Sequence, residues 1–238
     1  MMKKTPIALN GHQLKLIAMT AMLIDHLAWA FVKTDTGLGQ AMHAIGRITA
    51  PTMCFFIAEG YRHTRSLPRY LRRIAVFALI SQIPFSIFSL GEISIIPLNV
   101  LYTLGLGLVA IYCYDNIADF KKRKWALAAV LVLAIPADWT FIAPLLCLLF
   151  HVYRDDFPKQ VQWLSILGGI LFFAGFVMMR FNFLAALQNH AFHLGVVLSL
   201  PLLRLYNGKR GGGRYSGWIF YIFYPLHLLI IGRYMWFY

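Results

Sequence analysis

Apolar runs recur along the chain at 12–32, 43–61, 70–90, 97–116, 161–179, 190–206 and 217–237. A helix needs roughly 20 residues to cross the hydrocarbon core of a bilayer, so each run predicts a membrane-spanning helix. The stretch 124–153 contains WALAAVLVLAIPADWTFIAPLLCLLFHVY, which is long and is broken in its middle by Pro136, Ala137 and Asp138. By itself it suits either one kinked span or two short ones.

Loop charge decides between these. The basic clusters are RHTRSLPRYLRR (62–73), KKRK (121–124) and KRGGGR (209–214), with Lys3 and Lys4 at the amino end. Basic loops remain on the cytoplasmic side of a membrane, and the first two clusters obey this by simple alternation from a cytoplasmic amino terminus. The third obeys it only if 124–153 goes out and comes back. The expected architecture is therefore an all-α polytopic membrane protein of about nine segments (eight to ten), forming one integral domain over 1–238. The fifth and sixth segments are short and make a hairpin around Asp138. Irregular backbone at membrane depth is tolerated where protein or a watery cavity surrounds it.

Composition agrees. Of 238 residues 60% are hydrophobic and 13% charged, with mean hydropathy +0.66, too little polar surface to cover a soluble globule. Lysine and arginine number 22 against 9 acidic residues. In a membrane chain that excess sets topology, and it is poor support for a nucleic-acid partner. The first apolar run exceeds a signal-peptide core and lacks a small-residue cleavage site, so it reads as a retained span. Cys54, Cys113 and Cys147 fall in apolar segments without CxxC spacing, which predicts neither a disulfide framework nor a metal site.

An ionisable group at membrane depth costs about 2.5–3.5 kcal/mol on insertion scales, so each one in the spans is a functional candidate with a partner to be named. In LKLIAMTAMLIDHLAWAF (14–31), Lys15 and His26 are eleven residues apart. At 100° and 1.5 Å per residue they share a face, about 16 Å apart along the axis. That line suits a long amphipathic donor, with phosphates at the lysine and a reactive group at the imidazole. Asp25 points about 100° away from His26, off that line, where it could orient the imidazole of a neighbouring helix or pair with a cation. The alternative is a lysine that snorkels to the headgroups and a histidine in a structural interhelical bond.

Arg47 and Glu59 lie on the second segment, too far apart to pair with each other. Glu59 has Arg62 and His63 at i+3 and i+4, the pattern of a boundary ion pair. Arg47 has His43 one turn earlier and no local acid. It needs a carboxylate from another helix, for which Asp25 is at a compatible depth, or a lipid headgroup. On the last segment Tyr224 and His227 share a face beside Pro225, and Asp138 either serves a site or caps the short helix that follows it. His190 and His193 share a helix face but have no third ligand nearby, and P-loop, GxGxxG, GxSxG and HExxH signatures are absent. The GGG of 211–213 follows no strand and reads as a flexible connector.

Taken together, LKLIAMTAMLIDH, IGRITAPTMCFFIAEGYRHTRSLPRYLRRIAVFALISQIPF, LNVLYTLGLGL, ADWTFIAPL and YIFYPLHLLII resemble the TraX family of conjugal-transfer proteins, whose founding member is the F-pilin acetylase. The resemblance spans residues 9–237. It implies a bacterial inner-membrane protein that transfers acetyl from acetyl-CoA, for the F type onto the amino terminus of a pilin subunit; nine segments from a cytoplasmic amino terminus put the carboxyl terminus in the periplasm, and no metal is expected. TraX-like sequences also occur outside conjugative plasmids, so the expected acceptor is a protein such as a pilin, or a glycan. More distantly, the chain is similar to acyltransferase-3 proteins and heparan glucosaminide acetyltransferase. In acyltransferase-3 proteins a basic residue, ten positions and a catalytic histidine open the first helix. Lys15 and His26 match that spacing, with lysine where arginine is usual. Lysine binds phosphate as a point charge and without the bidentate fork.

For acyl transfer through the bilayer, Lys15 with Arg62 and Arg65 would hold the donor phosphates, and His26 would act as general base or acetyl carrier. Asp25 and His227 would orient it, and Arg47 or Tyr224 would steady the oxyanion. Glu59 and Asp138 complete the candidate set. Two other classes remain open. A proton-coupled carrier calls for an inverted repeat with broken helices in both halves, whereas one broken segment is evident. A non-catalytic pilus or conjugation assembly factor predicts that the buried polar groups are simply paired.

Overall fold

The computed structural model describes residues 8–213 and 216–237; Lys3, Lys4 and Arg214, used above as orientation signals, lie outside the described residues. Among the described residues the secondary structure is helical, with two isolated backbone bridges and no strand. Helix α1 (Gly11–Phe31) starts at a reciprocal capping box between Asn10 and Gln13, which satisfies amino-terminal donors that have no helical partner. It ends where Val32 turns extended.

The expected span at 43–61 is two helices, α2 (Gly37–Gly46), capped by Thr36, and α3 (Thr49–His63). Pro51 explains the break. It has no N–H to give the carbonyl of Arg47, four residues earlier, and its ring crowds that carbonyl. Helix α4 (Leu67–Leu90) runs to Gly91, whose φ of 75° closes it, and α5 (Val100–Asn116) starts at the Asn99 cap, later than the apolar run suggested.

The interruption around Asp138 separates α6 (Phe120–Leu133) from α7 (Ile142–Val152). KKRK is not a loop, because Asp119 accepts from the Lys122 N–H at 2.7 Å and draws the cluster into the first turn of α6. Asp138 does not cap α7. Phe141 holds the cap position and makes no side-chain bond there. Helix α8 (Phe157–Met178) is followed by α9 (Phe183–His190), a 3-10 segment (Ala191–Leu198), α10 (Ser199–Arg204) and α11 (Ser216–Phe237). Among the described residues five stretches are long and apolar enough to cross a membrane: α1, α4, α8, the composite Phe183–Arg204, and α11. The chain is an all-helical membrane protein.

The chain forms two compact units, Met1–Thr52 with Asp156–Phe220, and Met53–Asp155 with Tyr221–Tyr238. In the first, α1 packs on α2, and the 3-10 segment packs on α2 and α8. The connector after α10 is tied down. Carbonyls of Leu205, Lys209 and Arg210 accept from the N–H groups of Leu9, Gly11 and His12, so the basic glycine loop closes the amino end of α1. In the second unit α5 packs against α4, α6 and α7. Its amino end is held by Gln82, whose Nε2 donates to the Ser94, Ile95 and Pro97 carbonyls while its Oε1 accepts from Asn99.

Candidate functional site

The first unit brings an acid, an imidazole and a guanidinium together. Asp25, two-thirds of the way along α1, has its carboxyl over Gly46, where an added Cβ would fall on the carboxyl group itself. This close approach lets α2 present two side chains one turn apart. His43 Nδ1 lies 2.8 Å from Asp25 Oδ1, and an Arg47 terminal nitrogen lies 3.8 Å from Oδ2. The side chains are 15%, 0% and 13% exposed for Asp25, His43 and Arg47. Such charges persist at depth only when paired.

An ionised carboxylate accepts, so His43 donates from Nδ1 and carries its lone pair on Nε2. That Nε2 is buried and has no hydrogen-bond partner among the described residues. Trp29 and Phe192 flank the ring at centroid distances of 4.3 and 5.1 Å, and the Arg47 guanidinium lies 4.9 Å from the Phe192 centroid. An oriented imidazole with a bare acceptor, backed by a carboxylate, is the arrangement that takes a proton from an incoming N–H or O–H.

Asp25 therefore orients an imidazole of a neighbouring helix and pairs with Arg47, as its direction on α1 suggested. The imidazole is His43, which sequence reasoning noted only as Arg47's neighbour. The available signal was that His43 and Arg47, at i and i+4, share a face, so an acid reaching one reaches the other. Lys15 and His26 sit half-buried on the same helix.

The other candidates belong to the second unit. Glu59 meets His63 at 3.1 Å and Arg62 at 3.7 Å, the local ion pairs that its spacing suggested, with Arg62 and His63 largely exposed. Arg65 is exposed in the bend between α3 and α4. Asp138 accepts from the Trp139 N–H, its own N–H donates to the Leu98 carbonyl, and Thr103 donates to its carbonyl. Tyr224, 1% exposed, receives a hydrogen bond from the Val100 backbone at the first turn of α5 and faces Asp138. His227 Nδ1 donates to the Phe223 carbonyl at 2.8 Å. Asp138 and Tyr224 thus share one polar cluster at the amino end of α5.

The fold and the cluster define a polytopic helical membrane protein that buries an acid–base constellation among its helices. The chain belongs to the TraX family: the family model, described as TraX protein, matches residues 10–234. A relative, the probable fimbrial assembly protein FimC of serogroup H1 from Dichelobacter nodosus, is 30% identical over 237 residues, covering 94% of this chain and 95% of its own length. No solved structure matches the chain.

Proposed function

We propose that the chain is a membrane-embedded acetyltransferase that moves an acetyl group from cytoplasmic acetyl-CoA to an acceptor at the membrane or its periplasmic side, with the amino terminus of a pilus subunit as the leading acceptor. The observation that carries this reading is the Asp25–His43 pair with its unfilled Nε2. A buried acceptor left empty costs about 1–3 kcal/mol, which is recovered when a donor occupies it. Membership of the TraX family and the relative's name as a probable fimbrial assembly protein support the pilus as the setting.

His43 Nε2 removes a proton from the acceptor nitrogen as that nitrogen attacks the thioester carbonyl. The C–N bond forms, the C–S bond breaks, and the imidazolium returns its proton to the departing thiolate. Asp25 holds the imidazole in its donating tautomer and stabilises the imidazolium, while Arg47 lies beside the second carboxylate oxygen. Lys15 is assigned to the phosphates of the donor. His26 is the second candidate base. In this reading nine segments cross the inner membrane, the sixth returning from a hairpin at Asp138, with the amino terminus cytoplasmic and the carboxyl terminus periplasmic.

The test is intact-mass analysis of pilus and periplasmic proteins from cells with the wild-type chain, without it, and with His43→Gln or His26→Gln. A subunit that gains one acetyl mass with the wild type and loses it with His43→Gln supports the assignment. Retention of the mark in His43→Gln and its loss in His26→Gln moves the base to His26. No acetylated protein in any strain sinks the enzyme. The second reading, assembly without chemistry, draws on the relative's name and would then stand if pili still required the chain.

A further inference from the structure

Two histidines of the first unit have no part in the chemistry above, and their environment is abnormal for structural groups. Both ring nitrogens of His190 and Nδ1 of His193 are buried without a hydrogen-bond partner among the described residues. The rings stack at 5.9 Å with planes 5° apart. His193 lies 4.2 Å from the Phe192 ring, which is itself 5.1 Å from His43. With His43 Nε2, four unfilled imidazole nitrogens gather on α2, the end of α9 and the 3-10 segment. Native interiors leave few such atoms empty and fill polar recesses with bound water.

The groups facing His193 are Arg47 and His43 of α2, Asp25 of α1 and His190 of α9. From α8, Gly175 meets His190, and a Cβ there would overlap the imidazole. Among the described residues no three His, Cys, Asp or Glu side chains converge as a metal site would require. Apart from Asp25 and Arg47, already paired, the cluster consists of imidazoles. A neutral imidazole takes a proton on one nitrogen and gives one up from the other, so a hydrated row of them conducts protons.

We propose that His43, His193 and His190, bridged by buried water, form a proton relay leading from the Asp25–His43 pair toward the end of α9. This rests on the acetyl-transfer reading and deepens it, because it identifies the acceptor as an amine. An α-amino group has a pKa of about 7.7–8.0 and arrives mostly as the ammonium. Acetylating an ammonium gives the amide, the thiol and one free proton. Acetylating a hydroxyl gives the ester and the thiol with none left over. An amine acceptor at a buried site needs an exit for that proton, and a hydroxyl acceptor does not.

The experiment uses the full chain in detergent with acetyl-CoA and a synthetic peptide bearing a pilus subunit's amino terminus, comparing wild type, His190→Gln and His190→Phe. Glutamine keeps a polar side chain but cannot relay a proton. Both variants are expected to lose at least roughly tenfold in kcat near pH 6.5 with KM unchanged, an effect in the range of general acid–base contributions. The deficit should shrink as pH rises past the amine's pKa, and added imidazole should restore the rate. Wild-type rates in His190→Gln, or a loss equal at every pH and untouched by imidazole, overturn the relay. In the same wild-type sample, NMR of ¹⁵N-labelled histidine should detect magnetisation transfer from water to the His190 and His193 rings. Dry rings overturn the relay even in an active enzyme. A wild type that transfers no acetyl group instead refutes the acetyl-transfer reading, whatever the state of the rings.

Discussion

Replacing Asp25 by asparagine removes a charge while keeping the volume and the acceptor oxygen that His43 needs. The cost follows from the geometry. Opposite unit charges 3.8 Å apart attract by about 4 kcal/mol at an effective dielectric near 20. Desolvation offsets part of this, but the Arg47 side chain is only 13% exposed, so asparagine strands a guanidinium with little water to solvate it. Breaking a buried pair from one side costs about 3–5 kcal/mol, and Asp25→Asn is expected near the lower end because His43 keeps its bond. Arg47→Met should cost less, since Asp25 retains the imidazole as a partner able to take up charge. The double variant carries neither charge, so its loss should fall well below the sum of the single losses, with a coupling of roughly 2 kcal/mol. Equilibrium unfolding in mixed micelles, followed by circular dichroism, measures all four proteins. Additive losses, with coupling below about 0.5 kcal/mol, would mean that the two charges do not interact and that the cluster is not a unit.

Two further substitutions probe the frame. Gly46→Ala places a methyl group on the Asp25 carboxyl and should destabilise the protein by about 1–3 kcal/mol, as overpacking does, with the proposed acetyl transfer lost alongside; an unchanged unfolding midpoint would contradict the close approach of α1 and α2. Asp156 caps α8 by accepting from the Lys159 N–H, and this bond holds its carboxyl below the usual carboxylate range. A lowered folded-state pKa gives a contribution that is complete above the unfolded value and is lost as pH falls through the folded one. Asp156→Ala should therefore fray the start of α8 at neutral pH and converge with the wild type in acid, as read by amide exchange at 159–161.

Length and polarity revealed the helices whose formation depends on nothing but their own apolar run. Helices α1, α4, α8 and α11 lie close to their expected places because a long apolar run in a bilayer can satisfy its backbone only as a helix. Where a local feature competes with the run, hydropathy is blind. Pro51 divides the second span at Arg47, Asn99 delays α5, and Asp119 draws the basic KKRK into α6. Each competitor was visible in the sequence as a proline or a capping side chain, but averaging over a window of membrane length erases it.

The site was half legible for a related reason. Helical spacing assigns a residue to a face and a depth, and this sufficed to match Arg47 with Asp25 and Glu59 with Arg62 and His63. It does not say which face of another helix will arrive opposite. The adjacency of Asp25 and His26 drew attention to His26, although neighbours on a helix point about 100° apart and cannot serve one another. A carboxylate on a helix is more useful to a residue on the next one, and the helix supplying Arg47 had to supply His43 as well, one turn away. Gly46, between them in sequence, removes the Cβ that would keep the helices apart. In that light HAIGR is a single device: a cation and an imidazole on one face, with a gap in which a partner helix can seat its acid.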